Sequence, residues 1–179
     1  MHTLYTVGHS THSPQEFLEI LQVHGITHIA DVRTIPKSRR MPWFSQTALK
    51  QSLKKHKIGY THFLALGGLR HAHKDSINLG WHNASFRGYA DYMQTHEFFL
   101  ALKELNNLIK KSARVAIMCA EALPWRCHRS LIADAEVVRH VCVMDIMSKT
   151  SLHKHELTPF AVVDRHTRPI KVYYPAPLG

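Results

Sequence analysis

Residues 114–138 read RVAIMCAEALPWRCHRSLIADAEVV, and this stretch decides the fold. Arg114 to Cys119 is the most apolar strand candidate in the chain. The loop Ala120–Arg126 carries Pro124, and Leu131, Ala135 and Val138 then recur at helical spacing, so a helix is predicted to start near Cys127. The same strand–loop–helix unit repeats on the N-terminal side. Leu4–Gly8 reads as a short buried strand, and Ser13-Pro14-Gln15-Glu16 is a capping box with proline at the first helical position. Phe17, Ile20, Leu21 and His24 form the apolar stripe of that helix, which Gly25 stops. A second strand covers Ile26–Val32, and a polar loop runs from Arg33 to Phe44. Ser45 caps a helix that turns Leu49 and Leu53 inward, and a third strand follows at Gly59–Leu64. Gly67–Ala84 is a long irregular stretch of the kind that usually carries function. Helical spacing returns at Phe86–Met93 and at Phe98, Leu102, Leu105 and Ile109, a fifth strand covers Val141–Met147, and a last one Ile170–Tyr174. Strands alternating with helices predict an α/β fold: a single domain over residues 1–179, a mostly parallel central sheet with helices on both faces, a Rossmann-like three-layer sandwich.

Composition agrees with one folded domain. The 179 residues are 45% hydrophobic and 20% charged, with eight Gly and eight Pro, which excludes disordered, collagen-like and low-complexity classes. No apolar run approaches the roughly 18 residues of a membrane span, and Met1-His2-Thr3-Leu4-Tyr5 does not read as a secretory signal, so a cytoplasmic protein with no membrane partner is expected. Cys119, Cys127 and Cys142 are too few and too unevenly spaced for a disulfide framework, which fits a reducing compartment. The net charge of +10 points to an anionic partner such as a nucleotide or nucleic acid.

In an open α/β sheet, ligands sit beyond the carboxyl ends of the strands. The residues there are Gly8-His9-Ser10, Asp31-Val32-Arg33, Leu66-Gly67-Gly68 and Cys119-Ala120-Glu121. His9, Asp31, Cys119, Glu121 and His128 are therefore the candidate acids, bases and nucleophile. Cys119 also suits a small buried core position, and both readings stand at this point. Cys127, His128, Arg129 and the Ser130 hydroxyl would meet an anion at the start of the predicted helix, where a thiol is also acidified. Arg33, Lys37, Arg39 and Arg40 stand beside Trp43 and Phe44, a mixture that suits phosphates and bases. Arg87 repeats it beside Trp81 and Phe86, while Phe44 is expected to dock on the core.

Other thiol chemistries fit less well. A phosphate-wrapping cysteine loop needs an arginine where Trp125 stands, and Glu121 would repel the anion. Asp31-Val32-Arg33 also occurs in rhodanese-like domains, but the glycine-poor, Glu-bearing loop after Cys119 speaks against persulfide transfer. Zinc on Cys119, Cys127 and a histidine (His128 or His9) is an alternative, although the spacing between the cysteines is not that of a zinc knuckle. No cofactor is assigned.

Five motifs occur in order: Thr6-Val7-Gly8-His9-Ser10; Asp31-Val32-Arg33 with Pro36, Ser38 and Arg39; Leu66-Gly67-Gly68 with Arg70; Phe86-Arg87-Gly88-Tyr89 with Tyr92-Met93; and Met118-Cys119 with Glu121, Pro124 and Cys127-His128-Arg129. Together with Leu157-Thr158-Pro159 and Tyr174-Pro175, they resemble the bacterial and archaeal domain of unknown function 488 family over nearly the whole chain. The resemblance implies a cytoplasmic single-domain α/β protein and brings no reaction with it. Through these motifs Ser10, Ser38, Arg39, Arg70 and Arg87 join Arg33, Cys127 and Arg129 as candidate anion-binding residues. The leading expectation is an enzyme acting on a phosphate-bearing substrate. A nucleic-acid binding module without chemistry and a Cys/His metal protein are the alternatives.

Overall fold

The computed structural model describes residues 2–178. Its main sheet contains β1 (Thr3–Gly8), β2 (His28–Asp31), β3 (Gly59–His62), β4 (Val115–Cys119), β5 (Cys142–Ser148) and β6 (Ser151–Lys154) in the order β3-β2-β4-β1-β5-β6. The first five run parallel, and β6 returns antiparallel along β5. The helices are α1 (Pro14–Val23), α2 (Gln46–Lys55), α3 (Ala84–Tyr92), α4 (His96–Lys111) and α5 (Arg129–Val137).

Period-2 alternation in β4 sets the layers. Val115, Ile117 and Cys119 join the core formed with α3, α4 and α5, whereas Ala116 and Met118 join the core formed with α1 and α2. This is the mostly parallel three-layer α/β fold expected from the sequence. Because β4 lies between β1 and β2, it brings Gly8, Asp31 and Cys119 to the same edge. The α4 stripe Phe98, Leu102, Leu105 and Ile109 is buried, and each such side chain contributes about 1.5–3 kcal/mol through removal from water.

The local signals act as their chemistry requires. The Ser13 hydroxyl oxygen accepts the Glu16 N–H at 3.1 Å, and Gly25 ends the α1 segment at φ +67°. Ser45 stands at the N-cap of α2, but its side chain makes no capping bond and instead accepts the Ser38 N–H at 3.4 Å. The strand expected at Gly59–Leu64 stops at His62, and Leu64–Leu66 forms a 3₁₀ turn. The strand expected near Ile170–Tyr174 is β8 (Lys171–Tyr173), which pairs with β7 (Val162–Asp164) in a separate hairpin rather than extending the main sheet. Neither β6 nor β7 has an alternating apolar face: three of the four β6 residues are exposed, and β7 spans three residues.

Candidate active site

The ends of β1 and β4 run together past the sheet. The His9 N–H donates to the Cys119 carbonyl at 2.9 Å, and the Ser10 N–H donates to the Ala120 carbonyl at 3.0 Å. Gly8 permits the next turn of chain to fold over this edge, since a β-carbon there would lie 1.8 Å from the Glu121 carbonyl oxygen. Ser10 bends away with φ 47°.

Arg129 holds this loop from beneath. Its side chain is fully buried, and Nη1 donates to the Glu121 carbonyl at 2.9 Å while Nη2 donates to that of Ala122 at 3.0 Å. Nη1 also reaches the Cys119 Sγ at 3.1 Å. Among the described residues no carboxylate forms an ion pair with Arg129. A buried cation without a counter-charge is expensive, and the ionisable group directly on its guanidinium is the Cys119 thiol.

Cys127 completes the arrangement. Its Sγ accepts the Arg129 N–H at 3.5 Å, so both thiols are bonded to Arg129. Burial alone would push the Cys119 thiol up, but the Cys127 hydrogen bond, the Arg129 charge and the bonds around the loop outweigh it and bring it down to about 7. Cys127 moves the other way. Its hydrogen bond to Cys119, followed by burial, holds its proton well above the usual thiol range. Of the two thiols, Cys119 is therefore the one favoured as the anion and Cys127 the one that keeps its proton.

Both histidines of the site are held neutral. His128 Nε2 lies 2.9 Å from the Val32 carbonyl, which makes it the donor and leaves Nδ1 unprotonated 3.5 Å from Cys127 Sγ. Burial lowers the His128 pKa to about 4. His9 donates from Nδ1 to the Ser10 carbonyl at 2.9 Å, and its ring stacks on Phe44 at 4.4 Å. Its Nε2 faces Arg33 Nη1 at 3.4 Å, and burial, reinforced by that guanidinium, lowers its pKa. Arg33 forms a forked ion pair with Asp31, Nε to Oδ1 at 2.9 Å and Nη2 to Oδ2 at 2.8 Å, and the Tyr60 hydroxyl donates to the same carboxylate at 2.6 Å.

Cys119, Cys127, His128 and Arg33, with Lys37 and Arg126, line a cavity of about 380 Å³, while His9, Asp31, Tyr60 and Arg129 stand outside its lining. Glu121 supplies its one carboxylate among the described residues. A hollow of about 410 Å³ between the end of β3 and α4 contains none of the candidate residues.

The family model described as Domain of unknown function DUF488 matches residues 13–136. The chain belongs to this family. No curated protein and no solved structure matches it. In this DUF488 chain the matched span runs from the cap of α1 into α5, so it takes in Asp31, Arg33, Cys119, Glu121 and Cys127-His128-Arg129 and leaves His9 and β5–β8 outside.

Several sequence candidates lie elsewhere or face inward. Ser38 accepts the Met41 N–H and shapes its own loop. Arg39 is exposed and away from the cavity lining. Arg70 stacks 3.6 Å above the Tyr92 ring and bonds the Gly67 and Ala65 carbonyls. Arg87 holds the carbonyls of Trp81 and His82. The start of α5 is closed internally, with the Arg129 N–H on Cys127 Sγ and the Ser130 N–H and hydroxyl on the Cys127 carbonyl. An anion expected there would find those donors occupied. Lys37, one of the basic-loop cations expected to meet phosphate, lines the cavity, whereas Arg126 is a cavity cation absent from the candidates drawn from sequence, and its position in the loop after Cys119 was the available signal. Among the described residues no three His, Cys, Asp or Glu side chains cluster to hold a metal. No helix among the described residues is long and apolar enough to cross a membrane.

Proposed function

We propose that this DUF488 protein is a cysteine-dependent enzyme that acts on a phosphate-bearing substrate of nucleotide size in the Cys119 cavity. The observation that carries the reading is the buried Arg129 guanidinium, which has Cys119 Sγ, and no carboxylate, as its ionisable partner among the described residues. That pairing maintains a thiolate nucleophile near neutral pH. Lys37, Arg126 and the remaining edge of Arg33 would receive the anion, and Glu121 would move protons at the reacting group. Asp31, Tyr60 and His9 act as positioning residues for Arg33.

A cavity of about 380 Å³ is the size of a small-molecule site rather than a groove for a strand. The aromatic residues of the basic loop are also occupied: Trp43 donates to the His12 carbonyl, and Phe44 is buried beneath His9. The cytoplasm is the proposed location, since an unpaired reactive thiol suits a reducing compartment.

The test is a turnover screen over nucleotides and phosphate esters, followed by Cys119→Ser on the best substrate. We expect a loss on the order of 10³-fold or more in kcat, while Lys37→Ala and Arg126→Ala chiefly raise KM. Full turnover by Cys119→Ser, or no turnover and no binding of any phosphate compound by the wild-type protein, would overturn the reading.

A further inference from the structure

Cys127 has a use that nucleophilic attack by Cys119 does not require. Cys127 and Cys119 line the same cavity, and both of their sulfurs are bonded to Arg129. Cys142 is remote, paired in register with Thr3 at the far end of β1 from Gly8 and Cys119. His128 Nδ1 is unprotonated and lies 3.5 Å from Cys127 Sγ. The loop between the cysteines turns through Pro124–Arg126, with its carbonyls fixed by Arg129.

We propose that Cys119 and Cys127 are a two-electron redox couple that reacts with hydroperoxides and closes a reversible disulfide across the cavity. In the first step the Cys119 thiolate attacks the terminal peroxide oxygen. An S–O bond forms, the O–O bond breaks, and the leaving oxygen departs as water or alcohol after taking a proton, so that Cys119 becomes a sulfenic acid. In the second step Cys127 gives up its thiol proton and attacks the sulfenic sulfur. The S–S bond forms, the S–O bond breaks, and the hydroxyl leaves as water with that proton. Two thiols are oxidised, one peroxide is reduced, and a dithiol reductant restores the pair. The proposal shares Cys119 with the function above but needs no substrate turnover.

The experiment exposes the full-length reduced protein to stoichiometric hydrogen peroxide and then maps its cysteines by peptide mass spectrometry. The expected product is a peptide pair joined through Cys119 and Cys127, with Cys142 still alkylatable and the link lost in dithiothreitol. Cys127→Ser should accumulate several-fold more dimedone-trapped Cys119 and progress to sulfinic acid, whereas Cys142→Ser should behave as wild type. Wild-type Cys119 advancing directly to sulfinic acid without a Cys119–Cys127 link would overturn the proposal, as would dimedone trapping unchanged in Cys127→Ser. The wild-type map needs no variant to fold. A disulfide in a protein without turnover would remove only the proposed function, and turnover without the disulfide would remove only this couple.

Discussion

Arg33, at the end of β2, and Arg129, at the start of α5, are both buried, yet only Arg33 has a carboxylate. Asp31 engages two guanidinium nitrogens of Arg33, and Tyr60 donates to the same carboxylate, so this cation is matched charge for charge. Arg129 has two backbone carbonyls and a sulfur. The carbonyls take up Nη1 and Nη2 but carry no net charge, Nε has no hydrogen-bond partner, and the thiol is what can become an anion. A matched ion pair builds a wall, whereas a cation left with a thiol builds a nucleophile. Glu136, on the same helix as Arg129, shows a third outcome. Neither of its carboxylate oxygens has a hydrogen-bond partner, and burial raises its pKa to about 7, with Asn106 and Arg139 offsetting only part of the cost. Here burial favours the protonated carboxyl below about pH 7.

Breaking the matched pair should have the largest effect on stability. Asp31→Asn leaves Arg33 buried without its counter-charge and is expected to destabilise the fold by about 3–5 kcal/mol in urea unfolding. The pH at which Cys119 ionises should not move, because Asp31 is not among the groups that act on that thiol. A shift in that pH would mean the two arginines are not independent.

Glu136 provides the next effect, with a sign fixed by linkage. Its folded pKa of about 7 lies above the ordinary 4.5, so the folded state retains a proton that the unfolded chain releases between these values. The associated stability is fully present below the unfolded value and is lost as pH rises through the folded one. Glu136→Gln should therefore match wild type near pH 4 and exceed it by about 3 kcal/mol at pH 8 in thermal or urea unfolding. An equal difference at both pH values would show that the gain comes from packing.

Tyr60→Phe tests the outer support of the matched pair. Loss of its 2.6 Å hydrogen bond to Asp31 should cost about 1.5 kcal/mol in the same assay and leave the Arg33 ion pair formed. A loss as large as that of Asp31→Asn would mean that the hydroxyl, rather than Arg33, supplies most of the compensation.

The parts legible in the sequence were those with local causes. The Ser13 cap, the α1 and α4 stripes and the apolar run ending at Cys119 each follow from neighbours along the chain, and they gave the three-layer fold. The rule that sites lie at strand ends puts Arg33, Glu121 and Cys119 on one cavity, whereas His9 contacts Arg33 from outside that lining. The partners within the site were not legible. Tyr60 reaches Asp31 because β3 lies beside β2, and Arg129 turns inward because the 120–122 loop folds over Gly8. Both depend on strand order and loop path. A charge-based reading assigns Arg70, Arg87 and Arg129 to a ligand, while backbone carbonyls close in space take up all three. β6 escaped notice because it has no apolar face to alternate.

The central claim is that Arg129 and Cys127 together hold Cys119 as a thiolate near neutral pH. Its most direct test is the rate of iodoacetamide alkylation at Cys119, followed by peptide mass spectrometry between pH 5 and 10 on the reduced wild-type protein. The account predicts an inflection near pH 7. An inflection at or above the ordinary thiol value of 9 would contradict it.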